Sequence, residues 1–292
     1  MLRFVIALFI ASCCFPRSGA AQCDRDWLPG DGIPGVNGAV VGAAEFDPDG
    51  SGPQPTKLFV VGDFTVAGNQ FVSGGAAWNG TSWENTGANL NAVGLQKVGE
   101  ALYLAAGNSV HKWDSGWKVI AAFNSSNAPI TGLYSYRGGL YVLSPSTQIT
   151  PSLGYGPQSA CYGLARFDGS RWEVLGSATY ATGMRNGNQL AFYPDGRVVI
   201  GINGDYYIVQ GSSVMTALTA VFPFSSPSKC FVINNELYIY ASQYVTGTSG
   251  PKSNYLLRWN GRTDSQAWDR SPAPAGWTTI VPPLTAADGF VY

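Results

Sequence analysis

Short apolar runs punctuate this chain at a nearly constant interval: Leu58-Phe59-Val60-Val61, Leu102-Tyr103-Leu104, Leu140-Tyr141-Val142-Leu143, Val198-Val199-Ile200 and Leu237-Tyr238-Ile239-Tyr240. Each opens with an aliphatic residue, and runs this short bounded by Gly, Pro, Asn and Asp read as buried strands. The first residues of the runs are spaced on average about 45 residues apart, the length of one four-stranded blade of a β-propeller. A strand-like stretch precedes each run: Ala39 to Phe46, Val93 to Val98, Ile130 to Tyr136, Gln189 to Tyr193 and Cys230 to Ile233. Turn sequences such as Arg137-Gly138-Gly139, Pro194-Asp195-Gly196 and Asn234-Asn235 separate the two.

A second landmark follows most runs: Trp78-Asn79-Gly80-Thr81-Ser82-Trp83, Trp113-Asp114-Ser115-Gly116-Trp117, Phe167-Asp168-Gly169-Ser170-Arg171-Trp172, and Trp259-Asn260-Gly261 reaching Trp277 after an insertion. Asn-Gly and Asp-Gly supply the positive φ angles of tight hairpin turns, so each landmark predicts two strands joined by a short turn. Its aromatics then share one repeated packing role between neighbouring blades. The fourth copy keeps strand and turn in Asp205 to Gln210 and Ser212 to Leu218 but has no tryptophan. Helical periodicity is nearly absent.

The predicted fold is therefore all-β: a β-propeller of four-stranded blades, with five complete repeats plus a partial sixth. Blades are expected at about 38–88, 89–123, 128–176, 183–219 and 228–284, with the partial one at 285–292. Asp288-Gly289-Phe290-Val291-Tyr292 resembles Asn235-Glu236-Leu237-Tyr238-Ile239. An unclosed ring would expose sheet edges.

At Leu58 to Ala67 with Ala76 to Trp83, and again at Ala165 to Gly176, the chain resembles a family of exported bacterial proteins with kelch-like repeats. Their unit reads roughly Leu-Tyr-Val-Gly-Gly-Asp-Phe, a spacer, then Ala-Arg-Trp-Asp-Gly-x-x-Trp. Gln22-Cys23, Trp27-Leu28-Pro29-Gly30 and Phe46 to Pro53 resemble the opening of such proteins. The resemblance implies an exported propeller and supplies no catalytic residues.

The N-terminus agrees with export. Met1-Leu2-Arg3, the apolar run Phe4 to Ile10 and Ser18-Gly19-Ala20-Ala21 form the three regions of a secretory signal, with cleavage expected before Gln22. The domain reading is thus a signal peptide at 1–21 and a propeller at 22–292, in a secreted, periplasmic or cell-surface protein. Ile10-Ala11-Ser12-Cys13 offers a competing lipoprotein box with a lipid anchor on Cys13. No apolar run is long enough for a transmembrane helix, which needs about 20 residues.

Removing residues 1–21 takes away Arg3 and Arg17 and no acid, leaving 15 basic against 18 acidic residues. No basic stripe marks a nucleic-acid surface. Cys23, Cys161 and Cys230 remain; Cys161 and Cys230 are the candidate disulfide pair, and Cys23 is left over.

Candidate chemistry is sparse. His111 is the single histidine, which excludes multi-histidine zinc and copper sites, and its strand position predicts a structural role. Asp47, Asp49 and Ser51 alternate around Gly50 as in calcium loops, but half a ligand set is visible and a hairpin turn is expected there. Asp63 has no counterpart carboxylate in the other copies. Asn79-Gly80-Thr81 and Asn124-Ser125-Ser126 match the glycosylation acceptor pattern.

The functional expectation is a non-catalytic secreted or envelope propeller that binds a protein or glycan through loops on one face. The inserts Ser144 to Ala160 and Thr246 to Asn254 are the candidate recognition surfaces. Two alternatives stand beside it: a carbohydrate-active propeller enzyme using a carboxylate pair or Tyr-Arg chemistry, and a fragment of a larger surface repeat protein.

Overall fold

The computed structural model describes residues 35–88, 91–123, 129–144, 148–160, 163–175, 189–202, 205–211, 213–217, 226–243, 253–262, 268–272, 286–287 and 290–291. The signal segment, Cys13, Cys23, Cys161, the Asn124 sequon and the insert start at Thr246 lie outside them. The described residues contain strands, turns and bends, and no helix.

Five antiparallel sheets follow one another along the chain. The first is built from β1 (Ala39–Phe46), β2 (Lys57–Asp63), β5 (Gly75–Trp78) and β6 (Trp83–Asn85), with a small hairpin of β3 (Val66–Ala67) and β4 (Gln70–Phe71) inserted between β2 and β5. The second contains β7 (Ala92–Val98), β8 (Ala101–Ala106), β9 (Ser109–Trp113) and β10 (Trp117–Phe123). The third contains β11 (Gly132–Tyr136), β12 (Gly139–Leu143), β15 (Leu164–Phe167) and β16 (Trp172–Leu175). The fourth contains β17 (Gln189–Phe192), β18 (Val198–Ile202), β19 (Asp205–Gln210) and β20 (Ser213–Ala217). The fifth contains β21 (Ser226–Ile233), β22 (Glu236–Gln243), β23 (Ser253–Trp259) and β24 (Trp268–Pro272). A last pair, β25 (Ala286–Ala287) and β26 (Phe290–Val291), lies beside β21.

Each sheet is a meander, and the first strands lie in sequence: β1 against β7, β7 against β11, β11 against β17 and β17 against β21. Glycine permits the first of these approaches, because a Cβ on Gly42 would sit 2.7 Å from the Leu95 amide nitrogen. Strand alternation then divides each second strand between two neighbours. Leu102 and Leu104 face the first sheet, whereas Tyr103 and Ala105 face the third. Leu140 and Val142 face the second sheet, whereas Tyr141 and Leu143 face the fourth. Leu237 and Ile239 face the fourth sheet. A sheet covered on both faces needs apolar side chains at every position, which is why these strands read as continuous apolar runs.

The landmark aromatics pack backward onto the preceding sheet. Trp113 meets Phe59 edge-on at 5.0 Å, and Trp172 meets Phe123 at 5.9 Å. Trp259 joins the core shared by the fourth and fifth sheets. The indole nitrogens of Trp83, Trp113, Trp117 and Trp172 are buried without a hydrogen-bond partner, so these rings serve as apolar plates. Among the described residues no sheet precedes the first. Leu58, at the position of Leu102, Leu140 and Leu237, is 37% exposed, whereas those three are fully buried. The β3–β4 hairpin covers part of that face: Phe64, Ala67 and Val72 bury Val60 and Ala76, and Trp83 packs against Gly68.

Two sequence expectations are corrected. Trp259 pairs with Trp268 rather than reaching Trp277, because the turn closes within the insertion: the Asn260 side chain accepts the Arg262 amide at 3.2 Å and donates to Asp269 at 3.3 Å. The insert Ser144 to Ala160 is not a free loop. Its strands β13 (Gln148–Pro151) and β14 (Ser159–Ala160) pair onto β10 and make the second sheet six-stranded. Ile149 is fully buried there, and Ser152 donates its hydroxyl to the Val119 carbonyl at 2.8 Å, so edge pairing and apolar burial outweigh the loop-like composition.

Candidate functional site

The sequence candidates are dispersed. Asp47 and Asp49 lie in the turn between β1 and β2, where Asp47 accepts the Asp49 amide at 3.2 Å and Asp49 accepts the Gln54 amide at 3.2 Å. Their carboxylates close the turn, as Asx residues do; Ser51 is exposed beside them. Among the described residues no group of three or more His, Cys, Asp or Glu side chains could hold a metal ion. His111 is half-buried on β9, in register with Leu104 and Val119. Its Nδ1 has no hydrogen-bond partner, unlike the oriented base of a catalytic triad. Burial holds its imidazole below the ordinary histidine range. The Cys230 thiol is free and buried, and desolvation pushes it up to about 12.

A different set of residues forms a concavity between the third and fourth sheets. It has a volume of about 290 Å³ and is lined by Tyr136, Arg137, Tyr141, Arg166 and Glu173 of the third sheet, with Val198 and two glycines of the fourth. That size is at the lower limit of typical ligand pockets, roughly 300 Å³, and suits one small ring. Strand register assembles it. Tyr134, Tyr141, Arg166 and Glu173 are successive cross-strand partners, so they form one row on the face turned to the fourth sheet. Tyr136 ends β11, and Arg137 and Gly138 form the turn to β12 with φ of 47° and 72°. This paired left-handed conformation fits a tight hairpin.

Aromatic packing holds the walls. Tyr136 stacks on Phe192 with centroids 4.6 Å apart and donates its hydroxyl to the Tyr193 carbonyl at 2.9 Å. Phe192 also meets Tyr141 edge-on at 4.8 Å. The Arg166 guanidinium lies 6.0 Å from the Tyr141 ring centre and 3.5 Å from a Glu173 oxygen, and Arg137 lies 5.7 Å from the Tyr136 ring centre. Burial raises the Tyr141 phenol above its ordinary value, with Arg166 opposing the shift. Two cations and one carboxylate thus stand on a rigid aromatic base.

The sequence reading missed this site. Tyr141 was legible as part of a strand and Arg166 and Glu173 as flanks of the Asp168-Gly169 turn. The usable signal was their equal distance from that turn, which makes them cross-strand neighbours. That the fourth sheet leaves space opposite them could not be read from the chain.

No protein-family model matches the chain, and no curated protein matches it. Among solved structures it is similar to the computationally designed Ika8 protein, at 10% identity over 82% of this chain and 88% of that one, with a TM-score of 0.34. It is also similar to the GH43B protein of the Bacteroides ovatus xyloglucan PUL, at 16% identity over 63% of this chain and 40% of that one, TM-score 0.31. A bifunctional GH43-CE protein of Bacteroides eggerthii shares 14% identity over 62% of this chain and 27% of that one, TM-score 0.28.

Proposed function

We propose that this chain is an exported, non-catalytic β-propeller that binds a glycan in the groove between its third and fourth sheets. The propeller reading is supported by the succession of five antiparallel sheets, four of them four-stranded and the second extended to six, whose first strands neighbour one another and whose faces interlock in chain order. The export reading is supported by the signal-like residues 1–21. The observation that carries the binding reading is the groove itself: the half-buried Tyr136 ring, over the buried Tyr141, stands beside Arg137, Arg166 and Glu173, joining an aromatic wall to directional polar groups suited to a sugar. Glu173 is the one carboxylate among the described lining residues and is paired with Arg166. Hydrolysis of a glycosidic bond commonly needs two carboxyl groups about 5–9.5 Å apart, so the groove favours binding over turnover.

The test is a glycan array with purified protein, followed by calorimetry on each hit with the wild type and with Tyr136→Ala. Saturable binding lost in a folded Tyr136→Ala variant is the expected result. Binding unaffected by that change, or product release from a bound glycan, overturns the reading.

A further inference from the structure

The row Tyr141, Arg166 and Glu173 has an internal counterpart in the fifth sheet, where Tyr238, Arg258 and Asp269 are successive cross-strand partners. Both rows occupy the face turned away from the preceding sheet, since Leu237, Ile239 and Leu257 face the other way. The two arginines are treated differently. Arg258 is paired with two carboxylates: Nη1 lies 3.2 Å from Glu236 and Nη2 lies 3.0 Å from Asp269. Glu236 also accepts the Tyr238 hydroxyl at 2.7 Å. Arg166 has one carboxylate partner, Glu173, at a long 3.5 Å.

The difference traces to one position. Glu236 is the first residue of β22, and the first residue of β12 is Gly139. Each pairs with the residue that ends the preceding strand, Ile233 in one sheet and Tyr136 in the other. A Cβ on Gly139 would stand 2.9 Å from the Arg166 Nε, too close for a carbon, so any side chain here would push the guanidinium aside. Gly139 therefore leaves room for the Arg166 guanidinium, which lines the groove beside the Tyr141 hydroxyl and Glu173. Arg137, which forms no ion pair with a described residue, lines the same groove and gives its charged side chains a net positive balance.

We infer that the groove takes a sugar bearing an oxyanion, the carboxylate of a uronic acid, which occupies beside Arg166 the place that Glu236 holds beside Arg258. This rests on the glycan reading above. Arg presents paired donors that match a carboxylate, and the Glu173 pair is exposed and long, so a ligand carboxylate displaces it at little cost. Glu173 then acts as a competitor for Arg166, not as a ligand contact.

Calorimetry with oligogalacturonate, a neutral galactose oligomer and a sulfated galactose oligomer tests this, using wild type, Gly139→Glu, Arg166→Gln and Glu173→Gln. Oligogalacturonate is expected to bind at least tenfold tighter than the neutral oligomer. Gly139→Glu and Arg166→Gln should each lose that preference, with circular dichroism and melting confirming the fold. Glu173→Gln should raise uronate affinity severalfold. Preference for the sulfated oligomer, abolished by the same two variants, retains the oxyanion and overturns the carboxylate as its source. Equal or tighter binding of the neutral oligomer, or weaker uronate binding by Glu173→Gln, overturns the inference and leaves glycan binding standing. Silence toward all three, with an empty glycan array, overturns both.

Discussion

Single polar residues in this chain mostly serve turns. Asp168 accepts the amides of Arg171 and Ser170, each at 2.9 Å, and the Ser170 hydroxyl at 2.8 Å. These bonds hold its carboxyl at about 2, the Arg171 amide contributing most. Asn79 does the same work in the first sheet, accepting the amides of Thr81 and Ser82. An ionised carboxylate stabilises the fold while its folded value lies below its unfolded one, near 3.9. That contribution is full above about pH 4 and fades as pH falls toward 2. Asp168→Asn keeps the acceptor and loses the charge. Its melting temperature should lie below the wild type at neutral pH and converge with it near pH 2. A constant difference across that range would show that the charge of Asp168 has no part in the turn.

The unit of stability at the element scale is the strand covered on both faces. Leu140 is fully buried between the second and third sheets, whereas Leu58 holds the same repeat position with no described sheet before it. Leu140→Ala should cost about 2–5 kcal/mol, as buried leucine truncations do. Leu58→Ala should cost less than about 1 kcal/mol, the range of surface substitutions. Urea titration of both variants measures the contrast, and equal losses would mean that the outer face of the first sheet is covered in solution. The repeat makes this legible in part: the Leu-Tyr dipeptides announce alternate faces. Their different environments at the first copy were not legible, because burial depends on which copy has a neighbour.

At the scale of the whole molecule, the first sheet has no described sheet before it. Its outer face presents Val40 at 48% and Val41 at 47% exposure beside the β3–β4 hairpin, which buries Val60, Ala76 and part of Trp83. The hairpin therefore substitutes for a neighbouring sheet, and apolar strand surface left bare invites association. Ala67, the fully buried residue of β3 on the inner side of the hairpin, is the sensitive point. Ala67→Glu places a charge in that cluster and should lift the hairpin, raising self-association by light scattering. No change in association would mean that the hairpin shields nothing. The candidate groove belongs to this scale too. Its residues sit on two sheets, and Gly139 stands beside Arg166 where the fifth sheet has Glu236 beside Arg258.

Local pattern by itself determined the strands, the turns and the repeat, because alternation, Asn-Gly and Asp-Gly turns and a period of about 45 residues are properties of neighbouring residues. It gave β1 at Ala39–Phe46 and the Trp78–Trp83 hairpin directly. It misjudged the pairing of Trp259, since turn length within an insertion is set by side-chain bonds such as those of Asn260. It also read 144–160 as a loop, because short strands acquire their pairing partner from another sheet. Only the tertiary structure decided that Tyr141, Arg166 and Glu173 share a groove with the fourth sheet. Strand register puts the three in one row, but the opening beside them exists only where two packed sheets leave room.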